Sequence, residues 1–361
     1  MPGFAFSIGL FFSLLLLFSP AFASAAHQPT ATPTIPAVKI FSLNHKDVVA
    51  VAVEVRLPAG SIADPLTYSF DPQYQLTQKA DSITLTIDAD PDLASTSAVP
   101  PVNSSRLLQL TTAATTNTFT LTATYHPQAG KPSLTLVKRK RVLQPDNTLA
   151  FRTYLVLSFA DAAISPPKTI VLDAGHGGSA LGATSNTLVE KDLNLDIALL
   201  SRDLFRQHGY DVYMTRTDDS NPGLLDRADA ANILQADVFL SIHNNSIPTD
   251  MPDAAKKLYR GTTALYNAAA PKPAKELAQL LADELSGTLR IHQYPLQDRP
   301  NLVVLNSTWV PAVIAEVAMM PHPQDAKMLS QRVYRQQAAE AVFRAVENFF
   351  SLMPAKDGRR F

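Results

Sequence analysis

Thr169-Ile170-Val171-Leu172-Asp173-Ala174-Gly175-His176-Gly177-Gly178 is an apolar run that passes into a carboxylate, a histidine and a glycine-rich turn. A short, continuous apolar run bounded by turn residues is the pattern of a strand buried on both faces. Residues 212–215, 238–242, 263–266, 302–305 and 312–315 repeat it. Between the first two runs, Leu193, Ile197, Leu200 and Leu204 recur at helical spacing over residues 191–208, and Gly209 ends that helix. Leu277, Leu280, Leu281 and Leu285 mark another helix, and residues 324–350 a closing one. Strands alternating with helices predict an α/β fold, a mostly parallel sheet with helices on both faces. In such sheets reactive groups gather beyond the C-terminal ends of the strands.

Upstream the pattern is different. Residues 48–57 are nearly continuous in Val and Ala, while Ser82-Ile83-Thr84-Leu85-Thr86-Ile87 and Phe119-Thr120-Leu121-Thr122-Ala123-Thr124-Tyr125 alternate with period two. Residues 133–137 and 150–159 look similar. Short strands with Pro, Asn, Asp and Gly between them predict a small all-β sandwich over residues 38–160. Lys138-Arg139-Lys140-Arg141 either grips an anionic polymer or blunts an edge strand, and the edge is the simpler reading. Residues 161–168 read as a linker, 169–352 as the α/β domain and 353–361 as a tail. Residues 26–37, rich in Pro and Thr, read as an extended tether that buries no core.

Composition narrows the chemistry. The chain has 361 residues, 46% of them hydrophobic and 17% charged, enough for two cores. Lys+Arg 31 against Asp+Glu 32 leaves a net charge of -1, so no basic field exists for nucleic-acid binding. With Cys 0, disulfides, iron-sulfur clusters, thiolate zinc sites and cysteine nucleophiles are excluded. Any metal must rest on His, Asp or Glu. An apolar run over residues 4–18, then Ser19-Pro20 and Ala21-Phe22-Ala23-Ser24-Ala25-Ala26, has the order of a secretory signal over residues 1–25, cut after Ala23 or Ala25. The run is short for a membrane anchor. The expectation is an exported protein of the periplasm or cell envelope with no membrane span after cleavage.

Four residues stand where the sheet topology places reactive groups. His176 lies in the turn beyond the first strand, whose glycines match neither the dinucleotide nor the P-loop spacing. Glu190 opens the next helix, His243 ends the third strand in Ser241-Ile242-His243-Asn244-Asn245, and Glu316 closes the apolar run Pro311-Ala312-Val313-Ile314-Ala315. Singly, each has a bland reading: a helix-dipole partner for Glu190, a backbone cap for a histidine. Glu316 needs a cation or donor to offset its desolvation. Together they map to one sheet edge. Two imidazoles and a carboxylate suit Zn2+ with a position left for water, and Glu316, outside that set, can move a proton. His208, His292, His27, His45 and His126 take bland readings.

These blocks, with Glu190-Lys191-Asp192-Leu193-Asn194-Leu195, Thr215-Arg216-Thr217-Asp218, Arg227 and Ala231-Asn232, resemble the zinc-dependent N-acetylmuramoyl-L-alanine amidases of bacterial cell-wall remodelling, over residues 168–350. The resemblance implies Zn2+ on His176, Glu190 and His243, Glu316 as catalytic carboxylate, and peptidoglycan as substrate. Asp173 is then expected to steady a ligand, and Asn245 to orient His243 or touch substrate. His322 is the other histidine near enough in sequence to Glu316 to serve the substrate site. Ala180 replaces the family's aspartate after the double glycine, and Met319, Pro321 and His322 replace its Phe and Ser-Asn pattern. Some relatives carry a helical insertion that covers the site until an activator protein arrives. Only residues 267–275 fill that place, so the site is expected to be open. By position, the β region resembles a peptidoglycan-targeting domain. Two other functions compete: a zinc peptidase on stem peptides, and a noncatalytic wall-binding protein, which has no need of a buried Glu316.

Overall fold

The computed structural model describes residues 32–56, 70–91, 102, 104–127, 129–143, 149–161, 167–185, 187–247, 252, 254, 258–270 and 273–353, the side chains of 139–143 and 149 excepted. The segment read as a signal, most of the tether, linker residues 162–166 and the tail beyond 353 lie outside them.

The β region is a sandwich. One sheet has the order β5-β1-β2-β9-β8, with β1 (Thr34–Ser42), β2 (Lys46–Arg56), β5 (Asp90–Pro91), β8 (Ser133–Leu143) and β9 (Leu149–Ala160). The other has the order β3-β4-β7-β6, with β3 (Tyr74–Gln78), β4 (Ser82–Asp88), β6 (Leu107–Ala114) and β7 (Thr118–Tyr125). The alternating sequences of β4 and β7 turn Ile83, Leu85, Ile87, Phe119 and Leu121 inward and their threonines outward. They meet Val49, Val51 and Val53 of β2 and Leu155, Leu157 and Phe159 of β9. The Lys138 run lies on β8, an edge strand, and Lys138 pairs with Asp71. The tether reading needs one correction. β1 begins at Thr34 and fully buries Ile35, and Pro36 is absorbed by a register shift between Thr34 and Ala37.

The α/β region follows with β10 (Thr169–Ala174), the short ribbon β11 (Thr184–Ser185) and β12 (Leu188–Val189), α1 (Glu190–Gln207), β13 (Asp211–Met214), α2 (Leu224–Leu234) and β14 (Val238–Asn245). It continues through β15 (Thr263–Tyr266), α3 (Pro273–Leu289), β16 (Gln297–Asp298), α4 (Val303–Asn306), β17 (Ala312–Met319), α5 (Pro323–Leu329) and α6 (Arg332–Leu352). The sheet order is β13-β10-β14-β17-β15-β16, and every pairing is parallel except β15 with β17. On one face Leu193, Ile197 and Phe205 of α1, Leu277, Leu281 and Leu285 of α3, and Val342, Val346 and Phe349 of α6 form the core.

The other face is covered differently from expectation. Besides α2 and the short α4, the five-stranded sheet of the sandwich packs onto it. Val48, Ala50, Ala52, Tyr154 and Val156 share one buried cluster with Val171, Ile233, Leu234, Phe239 and Ile314. The two regions therefore share a core, and β2 is buried on both faces. Burial of each such large apolar side chain is worth about 1.5–3 kcal/mol. Residues 302–305, read as a strand, instead supply the N-cap Leu302 and the first three residues of α4. A four-residue apolar run has no period to separate the two, and here Val304 and Leu305 fill the shared cluster. The closing helix is two, α5 and α6, broken at Ser330 and Gln331.

Candidate metal centre

β10, β14 and β17 run side by side and parallel, so their C-terminal ends meet. The register sets Asp173 opposite Ser241 and His243 opposite Glu316. His176 lies just past β10 with φ 62°, a left-handed backbone that histidine adopts at some cost. Glu190 is the first residue of α1 and is buried. Ligand-type atoms of His176, Glu190 and His243 all lie within 4.8 Å of one another. The imidazole rings stand edge to face at 4.8 Å, with His176 Nε2 3.2 Å from Glu190 Oε2 and His243 Nδ1 2.9 Å from Glu190 Oε1.

Two glycines make room for this. A Cβ on Gly175 would stand 2.1 Å from His243 Nε2, so only a bare backbone fits beneath that ring. Gly182, at φ +69°, would put a Cβ 2.5 Å from Glu190 Oε2. Gly175→Ala is accordingly expected to weaken any divalent-ion binding between these side chains about 10–100-fold, the range for displaced ligand support. Competition with a chromophoric chelator measures it, and wild-type affinity would contradict the close approach.

Electrostatics favour a cation between these groups. Burial works against the Glu190 carboxylate, but hydrogen bonds from His176, His243 and the Ala183 N–H hold it far below the usual carboxylate range. Glu316 is the opposite case. Burial raises it to about 7, against the pull of His243. Its Oε2 is shielded from solvent and has no hydrogen-bond partner, a costly state for a buried acceptor. The donor set, two imidazoles and a carboxylate converging beside an unsatisfied oxygen, fits a borderline divalent ion of the zinc type.

A dense shell holds the ligands. Asn194, one helical turn after Glu190, donates to Glu190 Oε1 (3.3 Å) and to Gly175 O (3.2 Å), and accepts from Asn244 Nδ2 (3.0 Å). Asp173 accepts from Thr215 and Ser241 (2.6 Å each) and from Arg227 (2.7 Å). Arg227 also donates to His176 O (2.8 Å), so Asp173 is linked to the His176 backbone through that arginine. Arg216 donates to the carbonyls of Ala174, Gly175 and Lys191. Asn194, Asn244, Arg216 and Arg227 had no assigned role in the sequence reading. Only Asn194 carried a usable signal, its i,i+4 spacing from Glu190.

The contacts bear on two further residues of the sequence reading. Asn245 Oδ1 accepts the Ser246 N–H (2.8 Å), while His243 Nδ1 is taken by Glu190, so Asn245 does not orient that ring. His322 is buried, and its Nδ1 accepts the Gln324 N–H as the N-cap of α5.

The family model described as N-acetylmuramoyl-L-alanine amidase matches residues 170–348. The N-acetylmuramoyl-L-alanine amidase LytC of Bacillus subtilis (strain 168) is 32% identical over 183 residues, which is 51% of this chain and 36% of that protein. The germination-specific N-acetylmuramoyl-L-alanine amidase of the same strain is 27% identical over 198 residues, 80% of its length. The crystal structure of N-acetylmuramoyl-L-alanine amidase from Clostridium difficile 630 is 30% identical, covering 53% of this chain and 100% of that one, with a TM-score of 0.48. Residues 170–348, the part of the chain that carries the His-Glu-His cluster, are the part that is shared, and they form a domain of the N-acetylmuramoyl-L-alanine amidase family.

Proposed function

We propose that this protein is an exported, zinc-dependent amidase of the cell envelope. Its substrate is the amide that joins the lactyl group of N-acetylmuramic acid to the L-alanine of the stem peptide in peptidoglycan. The observation that carries this reading is the convergence of His176, Glu190 and His243 within 4.8 Å, with the buried carboxyl of Glu316 in register beside His243. A zinc ion held by those three side chains supplies Lewis-acid polarisation of the scissile carbonyl and a water acidic enough to attack near neutral pH.

The rest is done by the chain. Glu316, raised toward neutrality by burial, accepts the attacking water's proton and returns it to the departing alanine nitrogen. The carbonyl carbon gains an oxygen and loses the nitrogen, leaving a lactyl carboxylate and a free amine. Asn194 and the Ala183 N–H fix Glu190 so that its two oxygens face the two imidazoles. The connection from β15 to α3 spans only residues 267–272, consistent with an open site that needs no activator to uncover it.

Metal removal tests the reading. Treatment with a chelator is expected to stop solubilisation of purified peptidoglycan, and stoichiometric zinc to restore it. His176→Ala is expected to stay inactive after zinc is returned. Full activity after exhaustive chelation would overturn the metal requirement.

A further inference from the structure

We propose that the β sandwich is a positioning element of the metal centre, acting through α2 and Arg227; this rests on the metal reading above. An isolated helix of α2's 11 residues is marginal in water, so its place is set by what packs around it. From Arg227 to Leu234 every residue of it is buried. The side facing the sandwich follows i, i+3, i+4, i+7, i+8 spacing: Asp226, Asp229, Ala230, Ile233 and Leu234. Three polar grips from the sandwich fall on that line. Lys39 Nζ meets Asp226 Oδ1 at 2.6 Å, the Tyr154 hydroxyl donates to Asp229 Oδ2 at 2.7 Å, and Lys46 Nζ donates to Leu234 O at 3.0 Å. The first is exposed and worth little. The second is fully buried, and the third places a cation on the C-terminal carbonyls, where the helix dipole favours it.

Arg227 carries this placement across to the site. Its guanidinium directs all of its N–H groups to named acceptors: Asp173 Oδ1 (2.7 Å) and Ala174 O (2.8 Å), His176 O (2.8 Å) and Asn221 Oδ1 (3.0 Å), and Pro222 O (3.0 Å). Two of these acceptors are backbone carbonyls of the loop that presents His176 in its left-handed conformation. Such a conformation persists only where its surroundings over-determine it. Beside the first turn of α2, an open pocket of about 300 Å³ lies between Val38, Lys39 and Phe41 of β1 and Tyr213, Asp226 and Arg227. The placement of α2 therefore rests chiefly on its buried residues 227–234, with the Tyr154–Asp229 bond and the Lys46 contact at its C-terminal end. The sandwich sets the helix, the helix sets Arg227, and Arg227 sets the backbone of a ligand.

A thermodynamic cycle on metal affinity tests this in the full-length protein, with Co2+ and Zn2+ titrated by chelator competition. Tyr154→Phe removes one hydroxyl in the sandwich, and Arg227→Lys removes the fork that spans the loop. Each is expected to raise the dissociation constant about tenfold and to alter the visible Co2+ spectrum, as loss of ligand support does. If Tyr154 acts through Arg227, Tyr154→Phe costs nothing further in the Arg227→Lys background. Losses that add in the double variant, or wild-type affinity and spectrum in Tyr154→Phe, would overturn the proposal. A wild-type chain that takes up neither ion would overturn the metal reading itself, a result distinct from either.

Discussion

Glu316→Gln is expected to cut the rate of amide hydrolysis in peptidoglycan by about 10²–10⁴, the usual contribution of a positioned general acid-base group. The substitution keeps the shape of a side chain set between Ala315 and Val317 on β17, so the strand and its register with His243 remain. It removes the capacity to hold a proton. The amide is neutral and costs no more to bury than the carboxylate it replaces, so folding is expected to be unharmed. Zinc uptake should be unchanged, because Glu316 is outside the ligand set. A rate within threefold of wild type, with product identity unchanged, would remove Glu316 from the chemistry.

Asp173→Ala is expected to destabilise the fold by about 3–5 kcal/mol, the cost of breaking a buried ion pair from one side. Asp173 is 1% exposed and accepts hydrogen bonds from Thr215, Ser241 and Arg227. Without it, Arg227 keeps its charge in the interior with only carbonyl and amide oxygens for compensation. Denaturant unfolding followed by far-UV circular dichroism measures the loss. Less than about 1 kcal/mol would mean that the pair contributes no more than a surface salt bridge.

The site was more legible than its surroundings. His176, His243 and Glu316 follow strands whose apolar runs are plain in the sequence, and the rule that sites form at C-terminal strand ends places them together. What holds them was not legible. The contacts from Arg216 and Arg227 to the Ala174–His176 carbonyls span 41 to 53 positions, and no local pattern encodes them. Helix α2 escaped notice for a related reason. It is buried against the sheet on one side and the sandwich on the other, so it shows no apolar stripe. The continuous Val and Ala run of β2 did carry the message that both its faces are covered. Which surface covers the second face was not written there, since a strand's sequence records burial without naming the partner. The joining of two expected cores into a shared one followed from that gap.

The chemical ends of the products distinguish an amidase from a peptidase. Purified peptidoglycan is digested with the wild-type protein, with Glu316→Gln and with chelated protein, and the soluble fraction is read by mass spectrometry. Free stem peptides that begin with an L-alanine amine are expected from the wild-type protein and absent with the variant and with chelated protein. Peptides cut internally, with their L-alanine still joined to N-acetylmuramic acid, would contradict the amidase reading and make this protein a peptidase.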